Sequence, residues 1–267
     1  KRAARSGRAG TGGYRRMNHD ELLDTAIEAG YRLLENGAEI SRVEESIQRI
    51  LLSYGVESCD VFAIPSCIIV TIRETGATPL TRIKRIYSRE TNLGQVTLLN
   101  GLCRRICHDT PSFEQVRQSL KKIDESPVFS YPIQILGYAL ISSAFTLFFG
   151  GTALDACVAI LCGALLRLVL RAMSRFHTNP FFINLAGSAM TATVAFLAIR
   201  AGLADHMDKI IIGTLMNLVP GVAITTSMQD IIAGDLIAGI TKLTEALLTA
   251  TAIALGTGLA LTVLRLI

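Results

Sequence analysis

The sequence of 267 residues contains no tryptophan, and aromatic residues make up only 6% of it. Several short motifs of common enzymes are also missing. There is no glycine-rich P-loop, no Gly-x-Ser-x-Gly motif and no pair of histidines at metal-ligand spacing. These absences argue against an ATP-driven protein, a serine hydrolase and a metalloenzyme. We therefore expect a protein that is not an enzyme and that holds no cofactor and no metal.

Charged residues become scarce after about residue 127. Before that point charges of both signs are frequent, whereas the remainder consists mainly of Leu, Ile, Ala, Gly, Val, Thr and Phe. Long apolar runs of this kind are typical of membrane proteins. The change in composition predicts a soluble domain at 19–126 and a transmembrane domain at 127–267. No apolar signal segment precedes the soluble domain, so we expect this domain to be cytoplasmic.

The first 18 residues form a basic tail rich in Gly, Ala and Arg. Six positive charges precede the first acid, Asp20, and exceed the formal net charge of +4 for the whole chain. Without apolar periodicity the tail is predicted to be disordered, and contact with anionic membrane lipids is one role open to it. Nucleic acid is not an expected partner, because no aromatic or basic face follows the tail.

The soluble domain is predicted to be α+β. Apolar residues recur at three- and four-residue spacing from His19 to Asn36, and again from Ser41 until Gly55. A run of β-branched residues from Cys59 to Arg73 predicts one or two strands around Pro65. The remaining predicted elements are a strand at 80–87 and helices at 93–107 and 112–123.

Six cysteines raise the question of a zinc site. Cys103 and Cys107 share a helical face beside His108, and Cys59 or Cys67 could complete a set of ligands. No Cys-x-x-Cys pair is present, however, and cytoplasmic thiols are kept reduced. The favoured interpretation is that these cysteines are small buried apolar residues.

The second half contains five apolar spans, each long enough to cross a bilayer. They lie near 131–150, 152–170, 181–199, 210–228 and 236–264. The predicted fold class is therefore an α-helical integral membrane protein of about five transmembrane helices with an N-terminal soluble α+β domain. Arg167, Arg171 and Arg175 surround the loop after the second span and favour a cytoplasmic position for it. The chain is thus expected in the cytoplasmic membrane.

The third and fourth spans carry polar residues at positions where hydrocarbon makes them costly. Asn184 and Ser188 form a stripe on the third span, interpreted either as a helix-packing seam or as substrate contacts. Pro220 and Gly221 interrupt the fourth span. They predict a helix break whose second half presents free N–H groups to an anion, with a simple packing kink as the alternative. Nearby polar side chains suited to substrate binding are Asn217, Thr225 and Thr226.

Three carboxylates near the fifth span are candidates for proton coupling. Glu245 lies on one face of that span, and it is equally well placed to pair with Lys242 at the interface. Asp230 and Asp235 are expected in the short loop between the fourth and fifth spans.

Residues 220–246, PGVAITTSMQDIIAGDLIAGITKLTEA, resemble the signature of the threonine/serine exporter family. The stretch LLENGAEISRVEESIQRI at 33–50 is similar to the cytoplasmic domain of that family. The resemblance implies export of small amino acids, or of succinate in two-component relatives. In full-length members a second membrane domain follows the first five helices. The resemblance therefore implies that a small membrane subunit of the same family is a partner of this chain.

The function favoured by the sequence is secondary export of a small carboxylate-bearing solute, either an amino acid or a dicarboxylate, driven by the proton gradient. One alternative is a membrane-anchored hydrolase or sensor in which the soluble domain acts alone. Another is an assembly subunit whose partner holds the transport path.

Overall fold

The computed structural model describes residues 19–76, 78–125, 129–176 and 178–266. The predicted tail at 1–18 lies outside them. The described chain divides into two compact units. The N-terminal unit contains helices α1 to α4 and three strands, and the C-terminal unit contains helices α5 to α10.

The N-terminal unit is a small α+β domain. Its helices are α1 (His19–Glu35), α2 (Ile40–Ser53), α3 (Leu93–Asp109) and α4 (Phe113–Asp124). Its strands are β1 (Ser58–Ile64), β2 (Cys67–Arg73) and β3 (Leu80–Arg85), paired as an antiparallel sheet in the order β1-β2-β3. The run around Pro65 is thus a hairpin of two strands, in which Ile64 lies opposite Cys67.

Apolar side chains of α1 and α2 form the core of this unit. Leu22, Leu33, Ile47 and Leu51 are fully buried, as the helical spacing predicts. Gly30 of α1 allows the two helices to approach closely, because a Cβ at this position would lie 2.4 Å from the end of Ile47. A larger residue at position 30 would therefore force the Ile47 side chain to move.

The C-terminal unit consists of helices only. They are α5 (Tyr131–Phe148), α6 (Ala153–Ser174), α7 (Pro180–Arg200), α8 (Met207–Leu215), α9 (Gly221–Ala233) and α10 (Leu236–Leu266). Among the described residues, α5, α6, α7 and α10 are long and apolar enough to cross a membrane. The fourth predicted span, 210–228, is not a single helix: it is divided between α8 and α9.

Small side chains line the centre of this helical unit. Ala159, Cys162, Ala192 and Ala195 are completely buried and pack against Ile210 of α8. Small residues let helix backbones approach closely, which is how helices associate where lipid supplies no hydrophobic driving force. Helix α9 instead packs along α10, to which it is joined by a tight turn with Gly234 at φ +99°.

Candidate functional site

The helix break in the fourth span lies at residues 216–220. Helix α8 ends at Leu215, and α9 begins at Gly221 with Pro220 as its N-cap. Proline has no N–H group, and its ring clashes with the carbonyl group four residues earlier, so Pro220 favours an interruption of the helix at this point. The break leaves the first N–H groups of α9 without carbonyl acceptors inside the helix.

Asn217 ties this break to helix α5. Its amide nitrogen donates to the hydroxyl oxygen of Ser142 at 2.9 Å and to the carbonyl oxygen of Thr214 at 3.1 Å. A longer contact of 3.4 Å reaches the carbonyl oxygen of Tyr138. The side chain therefore replaces hydrogen bonds that the interrupted helix cannot make and fixes the position of the break.

Two glycines bring α5 close to its neighbours. A Cβ at Gly213 of α8 would lie 2.2 Å from the hydroxyl oxygen of Thr146. A Cβ at Gly163 of α6 would lie 2.4 Å from the carbonyl oxygen of Tyr138. Helix α5 is thus held between α6 and α8 by close backbone contact next to Asn217.

Arg167 of α6 is a candidate functional residue that the sequence pattern identified only as a positive charge beside the loop after the second span. Its guanidinium donates to the side-chain oxygen of Gln134 and lies 5.4 Å from the ring centroid of Tyr138. Its Nε atom is buried without a hydrogen-bond partner. Within the described residues no carboxylate pairs with Arg167. A cation inside an apolar helix was the signal that could have identified it.

The polar stripe of α7 faces α10. Ser188 is fully buried, and its hydroxyl donates to the carbonyl oxygen of Leu185 at 3.0 Å. A Cβ at Gly256 of α10 would lie 2.2 Å from that same hydroxyl oxygen. Asn184, one turn earlier, is half-buried and makes no hydrogen bond with any described residue. Ser188 therefore lies in a packing seam, and Asn184 keeps its amide group available.

The first turn of α9 lies at the surface of the unit. Gly221 and Thr225 are exposed, Thr226 is half-buried, and both hydroxyls donate to backbone carbonyls of their own helix. Helix α9 packs along α10. That the free N–H groups of its first turn meet an anion stays a prediction.

The carboxylates near α10 are arranged differently from the prediction. Asp230 lies within α9, not in a loop, and its side chain is only 1% exposed. Its carboxylate lies 2.7 Å from the ammonium nitrogen of Lys242, so Lys242 pairs with Asp230. Asp235 lies in the turn between α9 and α10, where its N–H group donates to the carbonyl oxygen of Asp230 at 2.8 Å. Glu245 is exposed on α10.

The cysteines do not assemble a metal site within the described part of the chain. The potential metal ligands that converge there are Asp155, Asp205 and His206. Asp155 already accepts hydrogen bonds from the N–H groups of Thr152, Asp205 and His206, and it completes the capping box in which Thr152 is the N-cap of α6. Cys103 is buried, and the loss of water raises the pKa of its thiol to about 12, as expected of an apolar core residue.

Comparison with known proteins connects this arrangement to a family. Residues 24–264 match the family described as "Putative threonine/serine exporter". The chain is 23% identical over 249 residues to a "Probable threonine/serine exporter" of Mycobacterium tuberculosis, covering 92% of this chain and 47% of the relative. It is 22% identical over 245 residues to the "Threonine/serine exporter" of Corynebacterium glutamicum, covering 89% and 50%.

The chain thus spans about half the length of the curated relatives it matches. No solved structure matches it. The family match extends across both units and includes the helix break, the Asp230–Lys242 pair and Arg167. With most of its length matched in this way, the chain belongs to the threonine/serine exporter family.

Proposed function

We propose that this multi-pass membrane protein is a component of a secondary exporter that moves a small amino acid, such as threonine or serine, out of the cell. The observation that carries the proposal is the Arg167 guanidinium. It lies inside an apolar helix and has no carboxylate partner among the described residues. Its guanidinium lies over the ring of Tyr138, and the carbonyl oxygen of Tyr138 accepts the long contact from Asn217 of the helix break. Arg167 is half-buried, its Nε atom has no hydrogen-bond partner, and such a cation is stabilised when a solute supplies a carboxylate.

The polar groups around the break suit the rest of such a solute. The N–H groups of Val222 and Ala223 belong to the first turn of α9, where the helix dipole favours negative charge. Asn184 offers an amide group for the solute hydroxyl. In this proposal the substrate-binding set is completed by Pro220 and Gly221, which hold the break open, and by Ser188, Asn217, Thr225 and Thr226.

Proton movement is the proposed energy source, since the sequence has no nucleotide-binding motif. Asp230, Asp235 and Glu245 are the proposed proton carriers. Protonation of Asp230 would remove the charge that holds Lys242 and would loosen α9 from α10. Replacement of Glu245 by Gln should flatten the pH dependence of efflux if that residue carries a proton, and an unchanged pH profile would exclude it.

A small membrane subunit of the same family is the proposed partner, on the basis of the resemblance to two-component relatives of the exporter family. The N-terminal unit is proposed to be cytoplasmic. The basis is that Arg167, Arg171 and Arg175 cluster toward the end of α6 and at the start of the following loop, and positive charge favours the cytoplasmic side.

A dicarboxylate such as succinate is the second candidate solute. The observation in its favour is that two guanidinium groups lie near the ring of Tyr131. The guanidinium of Arg171 is 3.7 Å from the ring centroid, and that of Arg167 is 5.9 Å from it. Two guanidinium groups on one aromatic ring could hold two carboxylates. An amino acid needs one of these cations, whereas a dicarboxylate needs both.

Efflux measurements separate these possibilities. A strain of the source organism that lacks the gene would be complemented with the wild type, Arg167→Gln or Arg171→Gln, so that any partner subunit stays present. Efflux of radiolabelled threonine, serine and succinate would then be followed. We expect Arg167→Gln to abolish export, and Arg171→Gln to do so only for succinate. Equal retention of all three solutes in wild-type and deletion cells would refute the proposal.

A further inference from the structure

The N-terminal unit contains a groove between α2 and α3 that the export function does not use. Its volume is about 400 Å³, which is in the range of small-molecule sites. On α2, Arg42, Ser46 and Arg49 recur at helical spacing on a face beside the buried residues of that helix. On α3, Asn100 and Arg104 lie one turn apart and form the other wall.

The charge of this groove is strongly positive. Three arginines line it, and Glu45 is the one carboxylate among the lining residues. Glu45 is paired with Arg49 at 2.5 Å along α2. By contrast, Arg42 and Arg104 make no hydrogen bond or ion pair with any described residue. Two guanidinium groups on facing helices are therefore left without counter-charges.

The neighbouring histidine does not alter this balance. His108 also lines the groove, and its Nδ1 atom lies 2.5 Å from the carboxylate of Asp109. That carboxylate compensates any positive charge on the imidazole, so the pair adds little net charge. The uncompensated charge of about +2 thus comes from Arg42 and Arg104.

We propose that this groove binds a small organic phosphate through Arg42 and Arg104. A phosphomonoester carries a charge of about −1.5 to −2 at pH 7, which matches the two free guanidinium groups, and its oxygens suit their paired N–H donors. Ser46 and Asn100 supply further hydrogen-bonding groups. An amino acid fits poorly, because its ammonium group would enter a cationic groove. The volume leaves room for an organic part beyond the phosphate.

Calorimetric titration of the whole chain in a neutral detergent with glycerol 3-phosphate tests this site. We expect saturable binding to the wild type and about tenfold weaker binding to Arg104→Gln. The double variant Arg42→Gln/Arg104→Gln should lose about 100-fold. Arg105→Gln is the matched control, since it removes the same charge from the same helix outside the groove and should bind like the wild type.

A second arm distinguishes a soluble phosphate from a lipid headgroup of the same chemistry. Binding of glycerol 3-phosphate in detergent assigns a soluble ligand. Binding found only with phosphatidate-containing nanodiscs, and lost in the double variant, assigns a lipid phosphomonoester to the same groove. Both variants should unfold close to the wild-type temperature, because Arg42 and Arg104 make no hydrogen bond or ion pair with a described residue that could be lost. Absence of saturable binding in both arms, or equal loss in Arg105→Gln, would overturn the proposal. Neither result depends on whether the chain exports amino acids.

Discussion

The ammonium group of Lys242 lies 2.7 Å from the carboxylate of Asp230, and both side chains are almost fully buried, with exposed fractions of 8% and 1%. This ion pair joins the last turn of α9 to α10. Removing one partner of such a pair leaves an uncompensated buried charge, which costs about 3–5 kcal/mol. The pair is therefore a buried contact between α9 and α10 whose loss is costly.

We predict that Asp230→Asn and Lys242→Met each destabilise the chain by about that amount, and that the double variant is less destabilised than either single variant. Thermal unfolding in detergent, together with the amount of protein in membranes, measures the effect. Lys209→Met is the control, because Lys209 pairs with the exposed Asp208 at 3.1 Å and such pairs contribute little. Strictly additive losses would show that the two charges do not interact.

The seam between α7 and α10 gives a prediction with an internal control. A Cβ at Gly256 would lie 2.2 Å from the carbonyl oxygen of Leu185, a backbone atom that cannot move away by itself. Gly256→Ala should thus destabilise the chain by about 1–3 kcal/mol. Gly258→Ala, half a turn further along α10, meets no atom within 4 Å and should be neutral or stabilising. The same shift in unfolding temperature for both variants would argue against close contact of these helices.

Glu28 in the N-terminal unit makes stability depend on pH. Burial raises the pKa of this carboxyl, but hydrogen bonds and charge from Arg32 at 2.9 Å and Lys84 at 3.2 Å outweigh burial and hold the pKa below its usual 4.5. Because this pKa is lower in the folded protein than in the unfolded protein, the ionised carboxylate stabilises the fold at pH values above the unfolded pKa. That stabilisation is lost as the pH falls through the pKa of the folded protein.

We therefore predict a loss of about 0.5–1 kcal/mol from Glu28 as the pH falls below about 4.5. Chemical unfolding of the whole chain at a series of pH values from about 3 to about 7 measures the slope. Glu28→Gln should be less stable at neutral pH and show a shallower pH dependence. Glu45→Gln, which removes a carboxylate from an exposed pair, serves as the comparison. A slope unchanged by Glu28→Gln would exclude this carboxylate as a source of pH sensitivity.

Local patterns in the sequence predict local structure well here. The bounds of α1, α3 and α4 differ from the predicted bounds by two residues or fewer, because the spacing of apolar residues determines helical periodicity within one segment. The break at Pro220 is equally local, since the missing N–H group belongs to that residue. These features need no knowledge of what packs against them.

Contacts between helices were harder to predict. Lys242 has Glu245 one turn away, so sequence spacing cannot show that Lys242 pairs with Asp230 on another helix. That choice depends on how the turn at Gly234 folds α9 against α10. Arg167 poses the same difficulty, because only the packing of α5 against α6 reveals that Gln134 and Tyr138, and no carboxylate of a described residue, lie at its guanidinium.

The helix break itself provides the most direct test of the proposed transport site. Pro220→Ala together with Gly221→Ala restores the missing N–H group and removes the residue that most favours an unwound turn. A Cβ at Gly221 meets no atom within 4 Å, so the double variant should insert and accumulate like the wild type.

A continuous helix from α8 to α9 would satisfy its own N–H groups and leave none for a carboxylate. We therefore predict that the double variant loses export of threonine and serine while its level in the membrane is unchanged. Efflux of radiolabelled threonine from complemented cells, with protein quantified in the same membranes, gives both values. Val219→Ala is the control, since it alters the exposed residue before the proline without restoring the helix. If the double variant exports at the wild-type rate, the break only shapes helix packing, and Arg167 with Asn184 would have to bind the solute without the N–H groups of α9.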